Sequence, residues 1–214
     1  SSPSITVSAT SICTGKDNSI TISATGCPVG ASIQWHDGNT DFNRTFTSAG
    51  NYTKYKAKCI LNDCESYESD AVSFEIKQTP EKPTVNNATI CAGNTATISA
   101  NGCSGTYNWT SLNSNTQSQS ISNLSAGTYS YKVLCNSNGC NSTETEASVI
   151  VNALPSVSAS AEQTICQGNS VGISASHNNI GNLIWDNDAR TNAYATVSPN
   201  NTTTYTITAN NNGC

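Results

Sequence analysis

The sequence TICAGNTATISANGC, residues 89–103, decides the fold because it occurs in related form three times along the chain. Residues 11–27 read SICTGKDNSITISATGC, and residues 164–176 read TICQGNSVGISAS. In each copy a cysteine and a glycine precede a run in which apolar residues alternate with polar ones. Alternation with a period of two is typical of a β-strand that buries one face. The chain is therefore predicted to consist of three β-rich repeats.

Each repeat continues with a tryptophan strand, a tyrosine strand and an Asn-x-Cys end, and matching positions lie 74 to 78 residues apart. Several short alternating strands between turn residues predict an all-β protein of tandem immunoglobulin-like β-sandwich domains. The predicted domains are 1–79, 84–152 and 156–214, and the last strand of the third domain is missing from the chain. The recurring tryptophans are expected in the cores rather than on sugar-binding platforms; they are Trp35, Trp109 and Trp185.

Composition excludes several classes of function. The 214 residues carry a formal charge of −5, only 11% are charged, and the nine Lys and Arg are scattered, so no basic surface is available for a nucleic acid. No apolar run approaches the roughly 18 residues of a membrane helix, so membrane insertion is not expected. The N-terminus has no charged and then apolar leader, and the chain is expected to be mature material or an excerpt.

Ten cysteines predict an oxidised, extracellular or cell-surface protein. Their closest spacings leave four residues between cysteines, whereas a zinc site favours a two-residue gap and usually histidine ligands. A domain of about 70 residues has a small core, and disulfides are a common means of stabilising one. The cysteines are therefore assigned to folding, and no metal or other cofactor is expected.

The repeats restrict the pairing of these cysteines. The third repeat lacks the counterparts of both Cys103 and Cys135, which predicts the pairs Cys103–Cys135 and Cys27–Cys59. Pairing within repeats then predicts Cys13–Cys64, Cys91–Cys140 and Cys166–Cys214, and this set is preferred because it closes all ten cysteines within the chain. Its members, however, lie at opposite ends of an immunoglobulin sandwich, roughly 20 Å apart. The alternative joins neighbouring repeats through Cys13–Cys140 and Cys91–Cys214 and leaves Cys64 and Cys166 for repeats beyond this chain.

Residues that could carry chemistry are few. The two histidines are not equivalent in the repeats, and no nucleophile motif accompanies them, so an enzyme is not expected. The acidic runs at 37–41 and 186–188 could offer oxygen ligands to calcium, but polar turns explain them better. Lys54, Lys56 and Lys58 alternate along one strand and are interpreted as a solvated outer face rather than an anion- or glycan-binding stripe. Ligand-binding residues are not predicted.

Three phrases of the third repeat carry a resemblance to a known group of proteins; they are TICQGNSV (164–171), VSPNNTTTYTIT (197–208) and NNGC (211–214). They resemble the Ig-like repeats of large cell-surface adhesins in Bacteroidetes that the type IX secretion route exports. The first two repeats depart from the usual two-cysteine form by their additional cysteine pair. The resemblance implies a stalk or filament element on a cell surface, and it transfers no ligand-binding residue.

These observations predict a structural stalk or filament segment of an extracellular bacterial adhesin or surface fibre, without catalysis. The alternative is a carbohydrate- or protein-binding Ig-like module, possible surface glycans being its ligands, or an accessory domain of a secreted enzyme. The expected partners are neighbouring Ig-like repeats of the same or another chain. Because the third repeat lacks its final strand, strand addition from another segment is a further hypothesis.

Overall fold

A computed structural model describes residues 1–15, 17–178, 180–186 and 192–214. Every regular element in these residues is a β-strand, and the strands number 22. The all-β prediction is confirmed. The strands follow the three sequence repeats and form small sheets that are antiparallel except where the second strand of a repeat meets its last one.

The first repeat contains nine strands, namely β1 (Ser4–Val7), β2 (Ser11–Cys13), β3 (Ile20–Thr25), β4 (Ser32–Trp35), β5 (Asn43–Phe46), β6 (Gly50–Tyr55), β7 (Ala57–Leu61), β8 (Cys64–Glu65) and β9 (Val72–Lys77). One sheet has the order β1-β3-β5, and the opposing strands form β2-β9-β6 and β4-β7-β8. The chain therefore starts on one sheet with β1 and crosses to the other with β2, a connection that links the two layers of a sandwich.

The second repeat reproduces this arrangement with β10 (Thr84–Val85), β11 (Ala88–Cys91), β12 (Ala96–Asn101), β13 (Thr106–Trp109), β14 (Ser118–Ile121), β15 (Gly127–Ser137), β16 (Cys140–Asn141) and β17 (Thr145–Asn152). Its sheets have the orders β10-β12-β14 and β11-β17-β15-β13, with β16 paired to the end of β15. In this repeat a single long strand, β15, corresponds to β6 and β7 together.

The third repeat has five strands in its described residues, namely β18 (Val157–Ala159), β19 (Val171–His177), β20 (Asn182–Trp185), β21 (Tyr194–Val197) and β22 (Ile207–Asn210). They form the sheets β18-β19-β21 and β20-β22. The described part of this repeat contains no counterpart of β2 and β9, or of β11 and β17.

The cores are built from the inward positions of the alternating strands. In the first repeat Ile20, Ile22, Ile33 and Trp35 are buried with Phe74, which lies on the last strand. The second repeat buries its counterparts, including Ile98, Trp109, Val149 and Val151. Because polar residues occupy the positions between them, each strand keeps one face in the core and the other toward solvent.

By packing, the chain divides into two compact units. The first comprises Ser1–Pro83 together with Gly102–Asn108 and Leu134–Glu144. The second comprises Thr84–Asn101, Trp109–Val133 and Thr145–Cys214. Each unit thus contains parts of two sequence repeats.

Candidate functional site: disulfides between repeats

Two disulfides lie within single repeats. Cys27 is bonded to Cys59 and Cys103 to Cys135, with Cα–Cα distances of 5.6 and 5.4 Å. These are the pairs that the missing cysteines of the third repeat predicted. Cys59 and Cys135 are buried, so each disulfide fixes a loop to an inward position of the late strand.

Two further disulfides join one repeat to the next. Cys13 is bonded to Cys140 with a Cα–Cα distance of 5.7 Å, and Cys91 to Cys214 with 5.6 Å. Each bond lies inside one compact unit. The predicted pairs Cys13–Cys64, Cys91–Cys140 and Cys166–Cys214 are not formed in the described residues, so this part of the prediction is wrong. The cysteine at the start of a repeat is instead bonded to the cysteine that ends the following repeat.

The strand register of the first repeat explains the correction. Cys13 lies beside Lys77 and thus at the end of the sheet where Gly50 pairs with Ile76. Cys64 pairs with Leu61 of β7. Leu61 lies about eleven residues beyond Gly50 along β6 and β7. At about 3.3 Å per residue this places the two cysteines roughly 36 Å apart. A disulfide requires Cα atoms within about 7 Å, so a bond inside the repeat is excluded.

The end cysteines share one local conformation. A two-residue turn with positive φ precedes each of them, formed by Asn62-Asp63, Asn138-Gly139 and Asn212-Gly213. Cys64 pairs with Leu61 as Cys140 pairs with Ser137. Cys64 therefore has the same backbone setting as the bonded Cys140, although it is a free, exposed thiol, as is Cys166.

The three tryptophans occupy equivalent buried positions. Trp35, Trp109 and Trp185 are at most 2% exposed. Each indole Nε1–H donates a hydrogen bond to a backbone carbonyl six or seven residues later, on Asp41, Thr116 and Asn192, at 2.8, 3.0 and 2.9 Å. Buried indole rings are inaccessible to a sugar, and the hydrogen bonds fix the loop after the tryptophan strand.

A charged group among aromatic rings distinguishes the first repeat. The Arg44 guanidinium lies 5.7, 5.2 and 5.3 Å from the ring centroids of Trp35, Phe46 and Tyr55. Its nitrogens also donate to both carboxylate oxygens of Asp37, at 3.0 and 2.8 Å. Burial raises the pKa of Asp37, but the hydrogen bonds from Arg44 and from the Asn39 N–H outweigh burial, and the pKa lies below its usual value. Sequence reasoning missed this cluster, because Arg44 has no counterpart in the other repeats.

The lysine stripe is neutralised by neighbouring acids. Lys56 contacts Glu68 at 3.2 Å, and Lys58 contacts Glu65 at 2.7 Å. The Lys54 backbone has a φ of 61° where the register of β6 shifts. Two of the three ammonium groups are thus engaged with carboxylates, which favours the interpretation as a solvated outer face over an anion-binding stripe.

The acidic runs do not converge on a cation site in the described residues. Asp37 is engaged by Arg44, and Asp41 is hydrogen-bonded within its own turn to Asn39. Asp186 accepts a hydrogen bond from the Thr206 N–H, whereas residues 187 and 188 lie outside the described residues. Within the described ranges no three His, Cys, Asp or Glu residues are grouped as metal ligands would be.

The fold and the disulfides define a protein of tandem immunoglobulin-like β-sandwiches. No protein-family model and no curated protein sequence matches the chain. No helix in the described residues has the length and apolar character needed to span a bilayer.

Solved structures similar to the chain contain immunoglobulin domains. They include immunoglobulin domains 1–4 of Sidekick-1, with 12% identity, a TM-score of 0.37, and coverage of 95% of this chain and 70% of that one. Extracellular domains 3–5 of Drosophila OTK have 13% identity, a TM-score of 0.31, and coverage of 90% and 79%. The N-terminal four Ig domains of Dscam1 isoform 6.9 have 12% identity, a TM-score of 0.29, and coverage of 99% and 70%. At these identities and TM-scores no function is carried over to this chain.

Proposed function

We propose that the chain is a structural segment of an extracellular adhesin or surface fibre, a stalk or filament element of tandem Ig-like repeats that performs no catalysis. The domains proposed for it are the sequence repeats 1–79, 84–152 and 156–214. The resemblance of the third repeat to Bacteroidetes adhesin repeats favours a bacterial cell surface. The observation that carries the proposal is the bonding of Cys13 to Cys140 and of Cys91 to Cys214.

These bonds have a mechanical consequence. The Cys13–Cys140 disulfide spans 127 residues of sequence, and most of the peptide between its ends is bypassed when tension is applied along the oxidised chain. Closing a loop of this length stabilises the folded state by about 4 to 5 kcal/mol on the chain-entropy model. A catalytic or ligand-binding function does not require such links between repeats, whereas a segment under tension benefits from them.

A binding function remains the second candidate, because Tyr67 and Val29 are 91% and 101% exposed. Exposed tyrosine is common at recognition surfaces. Glycans or proteins on a host or neighbouring cell would then be the ligands.

A glycan array probed with the labelled monomeric chain separates the two functions. If the chain is a stalk element, we expect no saturable binding to the array. We also expect the end-to-end length of the oxidised chain to remain short under tension. The stalk proposal would be overturned in favour of a binding module if the chain bound a glycan saturably, the Tyr67→Ala variant did not bind, and the Tyr194→Ala variant still did. Tyr194 is a suitable control since it is also exposed, at 61%, but lies on β21 of the third repeat.

A further inference from the structure

A short covalent route crosses the second repeat. Its end cysteine, Cys140, is bonded to the first repeat, and its start cysteine, Cys91, is bonded to the third. Along the backbone these two cysteines are 49 residues apart. The disulfide between Cys103 and Cys135 shortens the route, because five residues lead from Cys140 to Cys135 and twelve lead from Cys103 to Cys91. The covalent route across this repeat therefore has 17 residues instead of 49.

The strand β12 makes up most of the longer portion of this route. It is the middle strand of the sheet β10-β12-β14 and pairs with both neighbours in antiparallel orientation. Its inward residues Ala96, Ile98 and Ala100 are fully buried. A strand rises about 3.3 Å per residue and a fully stretched backbone about 3.5 Å, so β12 is already close to its maximum length. It is therefore held on both sides and has almost no extension of its own to give.

The disulfides pull β12 from its two ends. Cys91 precedes the strand and is separated from it by the turn 92–95, whereas Cys103 follows two residues after its last residue, Asn101. Tension that arrives through Cys91 and through Cys103 therefore acts along the length of the strand, in opposite directions. The two forces balance on β12 itself, so no net force shears the strand past β10 or β14.

The turn 92–95 contains the slack of the route. The Asn94 N–H donates a hydrogen bond to the Cys91 carbonyl at 3.1 Å, and the Ala92 N–H donates one to the Asn152 carbonyl at 2.9 Å. Gly93 and Asn94 are exposed, so little packing opposes the opening of this turn. The length of β12 and its flanking residues places Cys91 and Cys103 about 20 Å apart, whereas the twelve residues between them can reach about 42 Å.

We propose that residues 91–103 and 135–140, joined by the Cys103–Cys135 disulfide, form a strap that carries tension across the second repeat. The strands β13, β14 and β17 and most of β15 lie outside the strap, so they are not stretched while the disulfides are intact. The strap has a use only in a segment under tension, so this inference rests on the proposed stalk function. The glycan array tests that function separately, because glycan binding would refute the stalk without changing the route of tension.

Force spectroscopy on the oxidised whole chain, with handles at its two termini, tests the strap. With the strap, the second repeat should lengthen by at most about 40 Å, since 17 residues reach about 60 Å. In the variant Cys103→Ser with Cys135→Ser the route has 49 residues, and unfolding of this repeat should give a step of about 150 Å. The control Cys27→Ser with Cys59→Ser removes a bond of the same sequence separation, 32 residues, but Cys13 leads directly to Cys140 and no such step should appear. A step of this size in both variants, or in neither, would overturn the proposal.

A pair of insertions tests the strap with every disulfide intact, and so also serves if the double-serine variant does not fold. Four residues, Gly-Ser-Gly-Ser, inserted between Asn94 and Thr95 should increase the fully extended length of the oxidised chain by about 14 Å. The same insertion between Ser122 and Asn123, in an exposed loop of the same repeat outside the strap, should leave that length unchanged. Exposed turns and loops tolerate such insertions. Equal lengthening by both insertions would show that strands outside the strap carry the tension, and would overturn the proposal.

Discussion

The maximum extension of the unfolded chain depends on which cysteines are bonded. With the disulfides of the structure, the shortest covalent path from the first residue to the last crosses three of them. Its backbone portions are Ser1–Cys13, Cys140–Cys135 and Cys103–Cys91. These portions contain about 29 residues, which span about 100 Å at ~3.5 Å per residue. With three disulfides the oxidised chain reaches about 120 Å, against about 740 Å for the fully reduced chain.

Pairing within repeats predicts a different length. The path would then follow the backbone over 1–13, 64–91 and 140–166, about 65 residues, and would reach about 245 Å. Optical tweezers with handles attached to the two termini measure this length directly, since the oxidised chain is pulled until every repeat has unfolded. We expect about 120 Å, and a value near 245 Å would refute the pairing between repeats.

A double variant and a matched control sharpen the measurement. Cys91→Ser with Cys214→Ser leaves the backbone from Cys140 to the C-terminus on the path, so the reach should rise to about 305 Å. Cys64→Ser with Cys166→Ser also removes two cysteines, but both are free thiols in the structure, and the reach should stay near 120 Å. An increase in this control would show that these two cysteines are bonded within the chain.

Three substitutions test the packing. The Ser142 hydroxyl is buried and bonded to two backbone groups, so Ser142→Ala should lower the free energy of unfolding by about 1 to 3 kcal/mol in urea titrations. A Cβ on Gly105 would lie 2.1 Å from the Asn136 carbonyl oxygen, so Gly105→Ala should lower the midpoint of thermal unfolding, and an unchanged midpoint would contradict this close approach. Because Arg44 lowers the pKa of Asp37, the pair stabilises the fold above the usual aspartate pKa and loses this effect as the pH falls through the lowered value. Arg44→Met should therefore flatten the dependence of unfolding free energy on pH between about 5 and 2, and an unchanged slope would refute this assignment.

Periodicity was sufficient to predict the strands and the inward residues. A buried strand face imposes a period of two, and three related copies show the same period at Ile22, Ile98 and Ile173. The tryptophans could be assigned to the cores for the same reason, since they recur in step with other inward positions. These features depend on local pattern, which a sequence displays directly.

The disulfides between repeats depend on long-range geometry that local pattern does not contain. The number of cysteines favoured pairing within repeats, because that set closes all ten of them. The strand register, however, separates Cys13 from Cys64 by most of the length of a sheet. The separation along an immunoglobulin sandwich was the signal that pointed to the alternative. The Arg44 cluster gave no such signal, because it depends on side chains of one repeat that the others do not share.

The staggered connection of start to end cysteines has an arithmetic consequence for arrays of such repeats. Each added repeat brings one start cysteine and one end cysteine, and it closes one further bond with its neighbour. However many repeats are joined in this way, one start thiol and one end thiol remain at the two extremities. Gene duplication could therefore lengthen such an array without creating additional reactive sulfur, and the two thiols left over mark its polarity.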